Sequence, residues 1–135
     1  MKLPRSYILL SVSVAVGLAG CSQPRQTQML TVGGALDAAR RTNRIVIVEF
    51  WDLNGDCRAM DQQAFKHPLV LGDLEDFIRV RVYYPLQKEL AGKMAVGGAP
   101  GFAALRPDGS VITSSTGKLD ADGLRRFLIR ARIFR

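Results

Sequence analysis

Sulfur is scarce in this chain, and imidazole scarcer. Of 135 residues, two are cysteines, Cys21 and Cys57, and one is a histidine, His67. Two cysteines exclude a scaffold stapled by several disulfides. No Ser/His/Asp set, paired-carboxylate signature or phosphate loop is present, and Gly97-Gly98 reads as a turn, not a nucleotide cradle. Acidic residues number 12 against 19 basic, a net charge of +7. No internal repeat or low-complexity segment occurs. The longest apolar stretch, residues 7–18, is interrupted by Ser11, Ser13 and Gly17. It is shorter and richer in small residues than a typical membrane span, and with Lys2 and Arg5 ahead of it reads as an export signal.

That stretch ends in Leu18-Ala19-Gly20-Cys21, which resembles the lipobox of bacterial lipoproteins. The resemblance implies cleavage before Cys21, a diacylglycerol on its sulfur, and an anchor at the periplasmic face of a bacterial cell envelope. Ser22 in the next position implies sorting to the outer membrane. An uncleaved anchor helix or an ordinary signal peptide are the alternatives. Each buried lipid methylene adds roughly 0.8 kcal/mol of membrane affinity. The expected organisation is a signal peptide over residues 1–20, a lipidated Cys21 with a polar tether over 21–32, and one domain over 33–135. About ten extended tether residues reach roughly 30 Å. Export also removes the chain from nucleic acid.

Cleavage leaves 115 residues, enough for one small domain with a core. Loss of Lys2 and Arg5 lowers the charge to about +5. Arg125, Arg126, Arg130, Arg132 and Arg135 crowd the C-terminus, as a solvated face or as a surface for anionic lipid. With Cys21 acylated, Cys57 is the only thiol and no intramolecular disulfide can form.

The domain alternates helix and strand patterns. Residues 34–43 read as a helix, and residues 45–51, apolar on both faces, as a central strand. Residues 57–66 read as a helix that Pro68 stops or kinks. Residues 77–84 alternate Ile78, Val80 and Val82 against Arg79, Arg81 and Tyr83, the pattern of a half-exposed strand near a sheet edge. Residues 87–96 read as a helix, with Leu86, Leu90 and Met94 on one stripe. Strands at 102–105 and 111–113 flank the turn Arg106-Pro107-Asp108-Gly109. Residues 120–133 close the chain as an amphipathic helix carrying Leu124, Phe127, Leu128 and Ala131. The order α-β-α-β-α-β-β-α predicts an α/β domain with a mixed central sheet flanked by helices.

At the first strand–helix junction Trp51-Asp52-Leu53-Asn54-Gly55-Asp56-Cys57 follows the apolar strand. A strand, a Trp, a short loop and a Cys opening a helix form the layout of a thiol–disulfide site. Such sites use Cys-x-x-Cys, in which one thiolate attacks and the other resolves the mixed disulfide. Here Asn54 stands three residues before Cys57.

The ordered set of elements and junctions, over about residues 34–133, resembles the thioredoxin superfamily. Val48-Glu49-Phe50-Trp51 is similar to the strand entering that family's active-site loop, and Cys57 to the second Cys of its pair. Gly98-Ala99-Pro100 is similar to its cis-proline loop, and Arg106–Val111 to the hairpin that follows. The family's nucleophilic Cys falls on Asn54. The Trp-to-Cys57 loop is one residue shorter than the family pattern, so Leu53 and Gly55 are the other positions it could occupy, and neither restores a thiol. The expected site is therefore Cys57 with Glu49, the loop residues Trp51, Asn54, Gly55 and Asp56, and Ala99–Pro100, with no cofactor.

The resemblance implies that Glu49 is a buried proton acceptor for Cys57, and that a cis Pro100 exposes Ala99's backbone to pair with an extended peptide. Glu49 can instead lie at a wet strand end beside an Arg, and Pro100 can be trans in a plain loop. A helix N-terminus and Arg58 favour the Cys57 thiolate, while Asp56 opposes it. Burial on a stripe with Met60 and Ala64 makes the thiol inert instead. The leading expectation is an envelope protein that binds exported proteins or peptides, or a redox partner. Its single thiol would form mixed disulfides that an external thiol reductant resolves. A non-catalytic assembly module is the alternative. A weaker one is copper handling by Cys57, Met60 and His67.

Overall fold

The computed structural model describes residues 31–135. The expected signal peptide, the expected lipidation site Cys21 and nearly all of the expected tether lie outside the described residues. Helix α1 (Val32–Thr42) starts two residues before the expected helix, because the Thr31 hydroxyl accepts from the Gly34 N–H and caps it. It ends at Asn43, in the left-handed conformation at φ 51°. Strand β1 (Val46–Trp51) follows.

Four strands make one mixed sheet in the order β2-β1-β3-β4. β1 lies parallel to β2 (Ile78–Tyr83) and antiparallel to β3 (Gly101–Leu105), which pairs antiparallel with β4 (Val111–Thr116). β1 is thus interior and β2 an edge, as their apolar patterns require. Among the described residues no helix is long and apolar enough to cross a membrane.

Strand alternation divides the core into two layers. Val46, Val48 and Phe50 of β1 pack with Ala35 and Ala39 of α1 and with Ala91 of α4 (Lys88–Lys93). Ile45 and Ile47 face the other way, onto Met60, Phe65, Phe102, Leu124, Phe127 and Leu128. Each fully buried large apolar side chain contributes about 1.5–3 kcal/mol. Glu49 shares the second face by parity, and among the described residues it is the one buried charged side chain.

Four differences from the sequence pattern have local causes. The helix after the Trp loop, α2 (Gly55–Gln62), begins two residues early, and a 3₁₀ turn, Ala64–Lys66, continues it. Pro68 starts a further helix, α3 (Pro68–Leu74), because proline's fixed φ suits a first helical position. His67 caps α3, its Nδ1 accepting from the Leu69 N–H at 3.3 Å. Leu86 is not on a buried stripe: it ends the 3₁₀ turn Tyr84–Leu86 and is 79% exposed. The closing helix, α5 (Ala121–Ile133), has Asp120 as its N-cap.

Candidate functional site

The C-terminal ends of β1 and β2 and the start of β3 meet at one edge of the sheet. The loop after β1 is set by short side chains. Asp52 Oδ1 accepts from the Asn54 N–H at 2.8 Å, an Asx turn. Asn54 then caps α2, its Oδ1 accepting from the Cys57 N–H at 2.8 Å. Gly55 and Asp56 supply the first two helical residues, and Cys57 the third. Asn54, not Leu53 or Gly55, is therefore the residue whose side chain reaches back to Cys57. Leu53 points to solvent, 71% exposed.

The other half of the site comes from the loop before β3. The Ala99–Pro100 peptide bond is cis. Three contacts place this loop. Tyr84 Oη donates to the Gly97 carbonyl at 3.1 Å, the Gly97 N–H donates to Thr116 Oγ1 at 2.9 Å, and the Gly117 N–H donates to the Pro100 carbonyl at 2.8 Å. Gly101 allows the close approach: a Cβ there would lie 2.3 Å from Val96 Cγ1 and 2.5 Å from the Gly98 carbonyl oxygen. The halves are joined directly, since Asn54 Nδ2 donates to the Ala99 carbonyl at 2.8 Å. Asn54 thus connects the Cys57 end of α2 to the cis-proline loop.

Cys57 is 4% exposed and is not disulfide-bonded. The Asp52 N–H donates to its Sγ at 3.4 Å. Burial pushes the Cys57 thiol above its ordinary value. The Asp52 N–H contact pulls it down, while the carboxylates of Asp52 and Glu49 push it further up. The lowering anticipated from the helix N-terminus and Arg58 is outweighed, because desolvation of the thiolate is the largest contribution.

Glu49 is 3% exposed, yet it is not alone. Arg79 donates to its Oε2 through Nε at 3.0 Å and Nη2 at 2.5 Å, and Arg81 lies 3.2 Å from Oε1. Arg79 stacks 3.9 Å over the Phe65 ring. Arg81 pairs with both carboxylate oxygens of Asp61 at 3.1 Å and lies 5.1 Å over Trp51. Trp51 is tilted against Tyr83, with ring centroids 5.1 Å apart. Both carboxylate oxygens of Glu49 are thus held by arginine. An arginine beside Glu49 was one of the two expectations for it, but at a wet strand end; the carboxylate is instead buried, and it has two arginines. Their signal was the period-two placement of Arg79 and Arg81 on a strand whose register sets Arg81 opposite Glu49.

The candidate copper ligands point to separate partners. Met60 Sδ accepts from the Leu119 N–H at 3.4 Å, and His67 caps α3. Among the described residues no three His, Cys, Asp or Glu side chains converge as a metal site. A hollow of about 640 Å³ lined by Arg44, Phe77, Arg132 and Arg135 opens at the opposite end of the sheet, away from this chemistry. Arg44 there donates to the carbonyls of Glu75, Asp76 and Phe77, so its guanidinium already closes a turn.

Comparison with protein-family models and with curated protein sequences finds no match. Solved structures do match. A thioredoxin from Thermus thermophilus is 25% identical with a TM-score of 0.67, over 77% of this chain and 85% of its own. The oxidised C-terminal domain of Neisseria meningitidis DsbD is 25% identical with a TM-score of 0.54, over 79% of this chain and 99% of its own. A disulphide isomerase from Xylella fastidiosa is 22% identical with a TM-score of 0.62, over 84% of this chain and 97% of its own. With a mixed four-stranded sheet, helices on both faces, and a strand–loop–helix junction set against a cis-proline loop, this chain has a thioredoxin-like fold.

Proposed function

We propose that this protein is a thioredoxin-fold component of a bacterial cell envelope, lipid-anchored through Cys21. It binds an extended segment of an exported protein across the Ala99–Pro100 loop. One observation carries the reading: the Ala99–Pro100 loop is set against the start of α2, while the position facing it holds Asn54 and the Cys57 thiol is buried. A site with its peptide-pairing backbone but without a dithiol is suited to binding rather than turnover. Leu53, exposed beside Asn54, supplies apolar contact at the rim.

Trp51 is the only tryptophan and ends the strand that enters the site. Titrating the full chain with the carboxamidomethylated B chain of insulin, an unfolded probe without thiols, should therefore change Trp51 emission saturably. Leu53→Glu should weaken that binding severalfold and leave the fold intact. A flat titration at saturating probe would remove the reading.

The second reading is redox chemistry through Cys57 alone. The kinship of the fold with thioredoxin and disulphide isomerases supports it, as does the N–H bond to Sγ. In that step the Cys57 thiolate attacks a partner disulfide. A Cys57–partner bond forms, the partner's sulfur–sulfur bond breaks, and the partner's second sulfur leaves as a thiolate that takes a proton from solvent. Release then requires an external thiol, since among the described residues no other cysteine is present to resolve the bond. Labelling of Cys57 by a maleimide within minutes in the folded protein supports this reading; labelling only in denaturant eliminates it.

A further inference from the structure

We infer that Asn54 is a gate on the peptide-binding loop: its side-chain amide covers the Ala99 carbonyl that an extended partner must pair with. The inference rests on the peptide-binding reading above and assigns control of that site to one residue. Asn54 divides its amide between two tasks. Oδ1 caps α2 through the Cys57 N–H at 2.8 Å, and Nδ2 donates to the Ala99 carbonyl at 2.8 Å. The cap needs only the oxygen. The loop does not need the nitrogen, because Tyr84, Thr116 and Gly117 already fix it on both sides of Ala99, and Gly101 is packed against Val96. The Nδ2 donor is therefore surplus to folding, and what it does is fill an acceptor on the strip where a strand would add.

The bond can be broken at little expense. Asn54 is exposed and Ala99 only partly buried, so water can replace either partner. An intramolecular hydrogen bond of this kind shifts an equilibrium by about fivefold, since the partners exchange it for bonds to water. That is large enough to tune affinity and too small to close the site. A partner N–H that reaches Ala99 displaces the Asn54 amide, which turns to solvent while Oδ1 keeps the cap.

Two variants separate the gate from the cap. Asn54→Ser and Asn54→Asp both retain an N-cap acceptor for the Cys57 N–H, and neither offers a donor that spans to Ala99. In the full chain, calorimetric titration with the carboxamidomethylated insulin B chain should give about fivefold tighter binding for both variants than for the native protein. Amide exchange at Cys57 should stay slow in both, showing that α2 remains capped. Equal or weaker binding by capped variants overturns the gate and leaves the peptide-binding reading standing. Absence of binding by the native protein and by every variant overturns both.

Discussion

At the scale of single residues, chemistry at this site is governed by what faces Cys57. Desolvation and two nearby carboxylates keep its sulfur protonated, and Asn54 supplies an amide where a second sulfur would be needed. A thiol whose folded value is raised stabilises the fold fully below its ordinary value. That contribution is lost as pH rises through the raised folded value. The stability difference between the native protein and Cys57→Ser should therefore shrink between neutral pH and about pH 10, read from urea midpoints at each pH. The position of Asn54 at the N-cap of α2, three residues before Cys57, gives a sharper expectation. Asn54→Cys should form an intramolecular disulfide with Cys57 on oxidation and reduce insulin at least about tenfold faster than the native protein, which has Asn54 where that second thiol would stand. An Asn54→Cys protein whose two thiols both remain free after oxidation would show that the loop holds them apart.

At the scale of elements, the site depends on the fit between α2 and the cis-proline loop. Gly101→Ala should test that fit. Its new methyl would meet Val96 and the Gly98 carbonyl, and backbone cannot give way as a flexible side chain can. A loss of about 1–3 kcal/mol in unfolding free energy is expected, with the loop displaced from Asn54. Much of this level was legible in the sequence. The alternation in residues 77–84 marked β2 as an edge strand, the apolar run before Trp51 marked β1 as central, and the Pro-Asp-Gly turn marked the hairpin. The identity of Asn54 as the residue facing the loop was legible only to within one position, because spacing alone does not say where a helix is capped. α3 was missed because a proline after a helical stretch marks an end and a beginning equally well. The pairing of Glu49 with Arg79 and Arg81 was hidden because it depends on a register between strands about thirty residues apart. Periodicity within one strand cannot supply that register.

At the scale of the whole molecule, the arginines crowded near the C-terminus divide into those that tie the fold together and those that face solvent. Arg125 lies 2.8 Å from Asp73, and Arg132 reaches Asp73 at 3.6 Å and Asp76 at 2.9 Å, so α5 is clamped to the end of α3. Arg106 donates to the Phe134 carbonyl and Arg135 to the Asn43 carbonyl, which holds the end of α5 against the hairpin and α1. Among the described residues Arg126 and Arg130 make no ion pair and remain a solvated face. Asp73 is mostly shielded between two guanidinium groups. Asp73→Ala should lower unfolding free energy by about 1–2 kcal/mol, with little change at the distant cis-proline loop. Thermal unfolding, read beside Trp51 emission of the folded state, separates these two effects.

The sheet order leaves β2 and β4 as its outer strands. β2 carries Arg79 and Arg81, while the Ser114 and Thr116 side chains of β4 are bonded to the Ala95–Gly97 segment. Neither rim is a bare, apolar ladder that a neighbour could extend. Under the lipid-anchored reading proposed above, copies crowded side by side in the plane of a bilayer would thus have no ready seam along which to zip into fibres.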